Sequence, residues 1–174
     1  MIKTILVPTD GSAHAKKAVD FACAIAAKFQ ARLVLVHVLL HGATAAELRN
    51  LVNVKRMPKE VRETMERFGE IQAGAASTHG ISVSVPLPEE VFEAVGNVVL
   101  DSAEAIAKKQ GVKVAKRVLL RGRPAESIIA CANDNKASMI IMGSRGLSDL
   151  TALLVGSVSH KVSHLAPCTC VTVK

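Results

Sequence analysis

Glycines that follow an apolar segment form the pattern with the clearest chemical meaning in this sequence. Met139–Met142 is followed by Gly143-x2-Gly146-x9-Gly156-Ser157. A glycine has no Cβ, so a phosphate or a ribose can approach its backbone closely. The residues after Ser157 have helical apolar spacing, and the free amides at a helix start attract anions. The pattern indicates a nucleotide loop, although glycines after a strand can also be turn residues only.

Catalytic patterns are not evident near these glycines. The histidines do not group with acidic residues, and neither a Ser-His-Asp set nor paired carboxylates can be found. The phosphate-binding pattern Gly-x4-Gly-Lys-[Ser/Thr] is missing as well. His160 and His164 lie one helical turn apart without an evident third metal ligand. We therefore expect a binding site without catalytic residues, and the sequence leaves any metal ligands undetermined.

The glycines must be positioned by alternating strands and helices. Apolar segments predict five buried strands, and helical spacing predicts helices that begin near Ser12, Pro88, Arg123 and Ser157. The predicted strands are Ile2–Pro8, Leu33–Leu40, Val112–Leu120, Ser138–Met142 and Thr169–Val173. Continuous Val/Ile/Leu runs mark strands covered on both faces, which predicts an α/β fold with a doubly wound parallel sheet. Asp10, Val38 and Gly143 all follow carboxyl ends of strands, where such sheets bind ligands.

The chain length of 174 residues predicts one domain, 1–174, and the long stretch at about 41–88 predicts an extra helical segment within it. Residues 43–52 and 58–77 have helical spacing. Three roles stay open for this insertion: a cover over the sheet edge, a lid over a nucleotide, or a surface for a partner protein.

Composition restricts the partners. Apolar residues make up 49% of the chain, and Trp and Tyr are missing, so no aromatic platform for nucleic acid is expected. The net charge of +7 is distributed over all three parts of the chain when it is counted by thirds, which predicts mild attraction to small anions rather than a dedicated basic patch. No apolar stretch suggests a membrane span. Cys23 and Cys131 are predicted to be buried thiols, and the lack of a C-x2-C pair fits a reducing cytoplasm.

Both ends of the chain and the glycine pattern resemble one family. The sequences Ile2–Ser12 and His164–Val173, with the complete glycine spacing, are similar to the nucleotide-binding branch of the universal stress protein family. The resemblance covers about 1–40 and 112–174 well and 41–88 poorly. It implies five parallel strands in the order 3-2-1-4-5, a homodimer, and bound ATP (or AMP or ADP) with Mg²⁺.

The resemblance also implies roles for individual residues. Pro8 and Thr9 shape the first turn, Asp10 contacts ribose or phosphate, and the backbone of Val38 binds adenine. Met142 packs on the base, while Gly143, Gly146 and Arg145 face the ribose and phosphates. Gly156, Ser157 and Val158 supply amides to the outer phosphates. Without the family, Asp10 is a turn residue that bonds the amides of Gly11 and Ser12, and Arg145 is a solvated loop residue.

Three functions follow from these observations. The first is an ATP-binding regulatory protein of the stress response that holds its nucleotide. The second is a slow ATPase or phosphotransferase, and the third is a protein-interaction module with a vestigial or AMP-filled crevice. In the implied strand order, residues 168–173 form an unprotected edge, which predicts a homodimer through the last strand.

Overall fold

The structure is a computed structural model that describes residues 1–41, 43–79, 86–146 and 156–174. The strands are β1 (Thr4–Pro8), β2 (Arg32–Val38), β3 (Val114–Leu120), β4 (Met139–Gly143) and β5 (Thr169–Val173). The helices are α1 (Ala13–Phe29), α2 (Ala45–Leu51), α3 (Lys59–His79), α4 (Glu89–Lys109), α5 (Pro124–Asp134) and α6 (Ser157–Leu165), with a short 3-10 helix at Val54–Arg56. By internal contacts the chain divides into two compact units, 1–38 with 99–174 and 39–98.

The five strands form one parallel sheet in the order β3-β2-β1-β4-β5, which confirms the predicted fold. Val7 pairs with Leu35 of β2, and Leu6 pairs with Ile140 of β4. The order reverses between β1 and β4, so the carboxyl ends of these two strands border the crevice in which doubly wound sheets bind ligands.

Alternating side chains of the central strands enter two separate apolar clusters. Ile5, Val7 and Ile141 pack with α1 and with residues 99–109 of α4. Leu6 and Ile140 pack on the opposite face with α5 and α6. Because a strand side chain points to the face opposite its neighbour, continuous apolar runs are what a sheet covered on both faces requires.

Several element boundaries differ from the predicted ones by one or two residues. The third strand was expected from Val112, but the amide of Val112 donates to the carbonyl of Ala107 at 2.9 Å and closes the end of α4. Gly111 allows this turn because it adopts a φ of +69°. Phe29 is half exposed at the last turn of α1.

The unit 39–98 contains the helices predicted for the insertion. α2 begins with a capping box between Thr44 and Glu47, and Arg49 Nη2 donates to the carbonyl of Met65 at 3.2 Å. Leu48 and Met65 are buried, whereas Ile71 of α3 is half exposed. The three roles considered for this segment stay predictions. Among the described residues, no helix is both long and apolar enough to cross a membrane.

Candidate functional site

The turn between β1 and α1 holds Asp10 through a chain of local hydrogen bonds. The Thr9 amide donates to the carbonyl of Val36 at 2.8 Å, which ties the turn to β2. The Ser12 amide donates to Asp10 Oδ1 at 3.0 Å, and Ser12 caps α1 by accepting from the Ala15 amide. The sequence predicted that the Gly11 amide bonds Asp10. In the structure that amide donates to Thr9 Oγ1 at 3.4 Å. These bonds orient the carboxylate beside the carboxyl end of β1.

His37 supports the same turn from β2. The side chain is 1% exposed, and its Nδ1 lies 2.8 Å from the Thr9 carbonyl oxygen. A carbonyl can only accept, so Nδ1 carries the proton and donates. Burial lowers the pKa of His37 below its ordinary value of 6.5, while the Thr9 carbonyl and the Asp10 charge act in the opposite direction. His37 is thus a neutral core histidine, as the sequence indicated, and it fixes the backbone that carries Asp10.

The low pKa of His37 makes stability depend on pH. Below pH 6.5 the unfolded chain gains a proton on this ring that the folded chain does not take up. The contribution of His37 to the free energy of unfolding should therefore decrease as the pH falls below 6.5 and be unaffected above it. His37→Asn keeps an N–H donor near the Nδ1 position and cannot titrate. Denaturant titrations should show that the wild type loses more stability than this variant in acid, and parallel losses would contradict the prediction.

Ser144 is the residue that joins the end of β4 to its surroundings. Its amide donates to the Val173 carbonyl at 2.7 Å, and its carbonyl accepts from the Gly156 amide at 2.7 Å and from Ser159 Oγ at 2.8 Å. Its hydroxyl lies 3.2 Å from His14 Nδ1 in the first turn of α1. Through these bonds Ser144 holds the start of α6 against the end of β4. Gly146 and Gly156 are ten residues apart in sequence. All nine residues between these two glycines, 147–155, lie outside the described residues.

Gly143, the last residue of β4, and Gly146, which follows the strand, are required for different reasons. A Cβ on Gly143 would lie 2.9 Å from the Ala15 amide nitrogen, so glycine lets the backbone of α1 pack on the end of β4. A Cβ on Gly146 would lie 2.6 Å from Asp10 Oδ2, closer than atoms of this kind can approach. The motif glycine at 146 therefore faces the predicted ligand residue at 10. The sequence pattern assigned both glycines to ligand approach. At Gly143 the packing of α1 by itself requires a residue without a Cβ.

The other predicted residues lie around the same strand ends. Pro8 and Val38 are the last residues of β1 and β2, and Arg145 is half-buried two residues after the end of β4. Val38 and Met142 belong to one buried apolar cluster, and Val158 packs against it. Gly156 is the N-cap of α6, and Ser157 is its first residue. Gly156 has a φ of −72°, which any residue adopts, so its backbone conformation does not require glycine.

His14, Ser144 and Ser159 were missed as members of this region. His14, in the first turn of α1, is half-buried against Ser144. Ser144 occupies a variable position of the glycine pattern, so no spacing rule marks it. Among the described residues, no cluster of His, Cys, Asp and Glu has the arrangement of a metal site. Cys23 is buried as predicted, and burial raises the pKa of its thiol to about 11, which keeps it protonated and unreactive.

The fold and this region define a doubly wound α/β protein whose polar turns meet at the carboxyl ends of β1 and β4. The model of the universal stress protein family matches residues 1–174, and the chain belongs to this family. It is 30% identical to universal stress protein YxiE of Bacillus subtilis and 31% identical to a universal stress protein of Thermus aquaticus, with 100% of both chains covered in each case.

Solved structures of the family share the fold. A universal stress protein from Burkholderia pseudomallei is 26% identical, with a TM-score of 0.59 over 99% of this chain and 96% of the other. A universal stress protein in complex with cAMP is 22% identical, with a TM-score of 0.61 over 99% and 97% of the two chains. The protein from Archaeoglobus fulgidus in complex with dAMP is 19% identical, with a TM-score of 0.55 over 100% and 98%.

Proposed function

We propose that this protein binds ATP at the carboxyl ends of its strands and serves as a regulator that holds the nucleotide. The observation that carries the proposal is the approach of Gly146 to Asp10, because it brings the glycine loop and the first turn to one place. Family membership supports it, since two members with the same fold were solved with cAMP and with dAMP.

The geometry favours a specific orientation of the nucleotide. The apolar cluster with Val38 and Met142 suits the adenine ring, and Asp10 suits the ribose hydroxyls or a Mg²⁺ ion at the phosphates. The amides that begin α6 suit the outer phosphates because the positive end of a helix dipole lies there. The site offers Asp10 and the Gly156–Val158 amides for Mg-ATP, with Arg145 as an adjacent positive charge.

Binding of Mg-ATP should be visible as thermal stabilisation. At a concentration about a hundred times the Kd, linkage adds about 2.7 kcal/mol to the free energy of unfolding. For a chain of this size that corresponds to a rise in Tm of roughly 5–10 °C. AMP and cAMP measured in parallel show which phosphates contribute. No shift with any of the three, and no nucleotide in the denatured purified protein by mass spectrometry, would contradict the proposal.

We also propose that the protein is a homodimer through the edge strand β5. Among the described residues, β5 is hydrogen-bonded on one side only, to β4. The strand carries no proline and no inward charge, and Thr169 and Thr172 are exposed. An unprotected edge of this kind is stabilised by pairing with a second copy about a two-fold axis.

A further inference from the structure

The positive charge of this chain is concentrated in one segment. Residues 105–125 contain seven basic residues and no acidic residue: Lys108, Lys109, Lys113, Lys116, Arg117, Arg121 and Arg123. The rest of the chain has 15 basic and 15 acidic residues, so this segment accounts for the entire net charge of +7. The prediction that the positive charge is evenly distributed is wrong. Counting by thirds concealed this segment, because its basic residues were summed with the acidic residues at 47–104.

The structure places these residues along one edge of the sheet. They occupy the end of α4, the strand β3 and the loop that leads to α5, and all seven are exposed. β3 is the outermost strand on the side opposite β5. Basic side chains on the strand alone would be ordinary protection of an edge. The basic residues before and after the strand extend the charge beyond what that protection requires.

The edge combines charge with an open backbone. Among the residues that the structure describes, β3 is hydrogen-bonded to β2 alone, and Ala115, Lys116 and Arg117 are exposed in the middle of the strand. Because neighbouring strand residues point to opposite faces, Lys116 and Arg117 lie on opposite faces of the sheet edge. Arg117 is held there by Asp101 at 2.7 Å and Glu104 at 2.9 Å, which keeps its guanidinium close to the strand.

We propose that this basic edge, residues 108–123, binds an extended acidic segment of a partner protein as an added strand beside β3. Carboxylates of the segment would pair with exposed basic side chains such as Lys113, Lys116 and Arg123, and its backbone would pair with the side of β3 that faces away from β2. The seven residues of β3 suit a partner segment of similar length. An open strand edge alternates backbone donors and acceptors, which matches a peptide backbone, whereas the phosphates of a nucleic acid or of a lipid can only accept. A protein segment is therefore favoured over both.

The test uses the full chain and a fluorescein-labelled peptide of about ten residues that alternates glutamate and valine, a length typical of strands. We expect fluorescence anisotropy to show binding that weakens with added salt. A triple variant should weaken peptide binding by roughly tenfold or more, since each substitution turns attraction into repulsion: Lys113→Glu, Lys116→Glu and Arg123→Glu. The matched control is a second triple variant on exposed positions of α1: Lys16→Glu, Lys17→Glu and Lys28→Glu. It changes the net charge by the same amount and should leave binding nearly unchanged.

Peptide variants test the added strand directly. N-methylation of alternate residues removes the backbone donors on one side of the peptide and keeps its charge. We expect one of the two alternate sets to abolish binding and the other to be tolerated. Equal effects of both charge variants, or full tolerance of both methylated sets, would overturn the proposal. Stronger binding of an oligouridylate or of phosphatidylserine vesicles than of the peptide would overturn it as well. Failure of Mg-ATP to bind would not affect this result, because the two surfaces share no residue.

Discussion

Thr172→Pro should convert the protein from a dimer into a monomer without damage to the subunit. The carbonyl of Val173 accepts from the Ser144 amide, so the backbone of Val173 faces β4. Backbone groups of successive strand residues point to alternate sides, so Val171 also faces β4, while Cys170 and Thr172 face the open edge. Proline at 172 therefore removes a donor to the second copy and none to β4. Light scattering coupled to gel filtration measures the change in mass.

Two neighbouring substitutions make this test selective. Thr172→Val keeps the amide and a strand-forming side chain, so it should remain a dimer. Val171→Pro removes a donor within the subunit, so we expect it to lower Tm as well as to disturb assembly. A wild type that is already a monomer, or a Thr172→Pro variant that remains a dimer with its normal Tm, would show that β5 is not the interface.

Gly146→Ala should lower the affinity for Mg-ATP by roughly ten- to a hundredfold, which is a loss of about 1.4–2.8 kcal/mol. The new Cβ would lie 2.6 Å from Asp10 Oδ2, so the carboxylate must rotate away. Rotation breaks its bond with the Ser12 amide and removes it from the position proposed for ribose or Mg²⁺. The contact is with the end of a side chain and not with backbone, so the fold should be retained. Isothermal titration of the folded variant measures the loss.

A double-mutant cycle separates this effect from a general disturbance of the loop. In the Asp10→Ala background, Gly146→Ala should cost little further affinity, because the carboxylate it displaces is already missing. Gly74→Ala is the matched control for the added methyl group, since nothing lies within 4 Å of a Cβ built there. Additive losses from the two site substitutions would show that Gly146 and Asp10 contribute independently, which would contradict the proposed arrangement.

Much of the site could be predicted from the sequence because its residues follow strands that are recognisable from their apolar runs. Asp10, Val38 and Gly143 were placed at carboxyl ends, and β1, β2 and β4 do end at Pro8, Val38 and Gly143. Helix starts were equally visible, as at Ser12, since a capping side chain acts within a few residues. These are properties of local sequence, for which neighbours in the chain are sufficient evidence.

Only the tertiary structure decided which of these residues meet and why. The bonds of His37 to Thr9 and of His14 to Ser144 join residues 28 and 130 positions apart, and no spacing rule relates such pairs. Gly143 and Gly146 look alike in the pattern, yet one lies against the backbone of α1 and the other against Asp10. The charge of residues 105–125 was present in the sequence, but its placement along an edge strand follows from the strand order. Strands and helix caps depend on residues that are close together in the chain, whereas contacts between strand ends depend on how the whole sheet is wound.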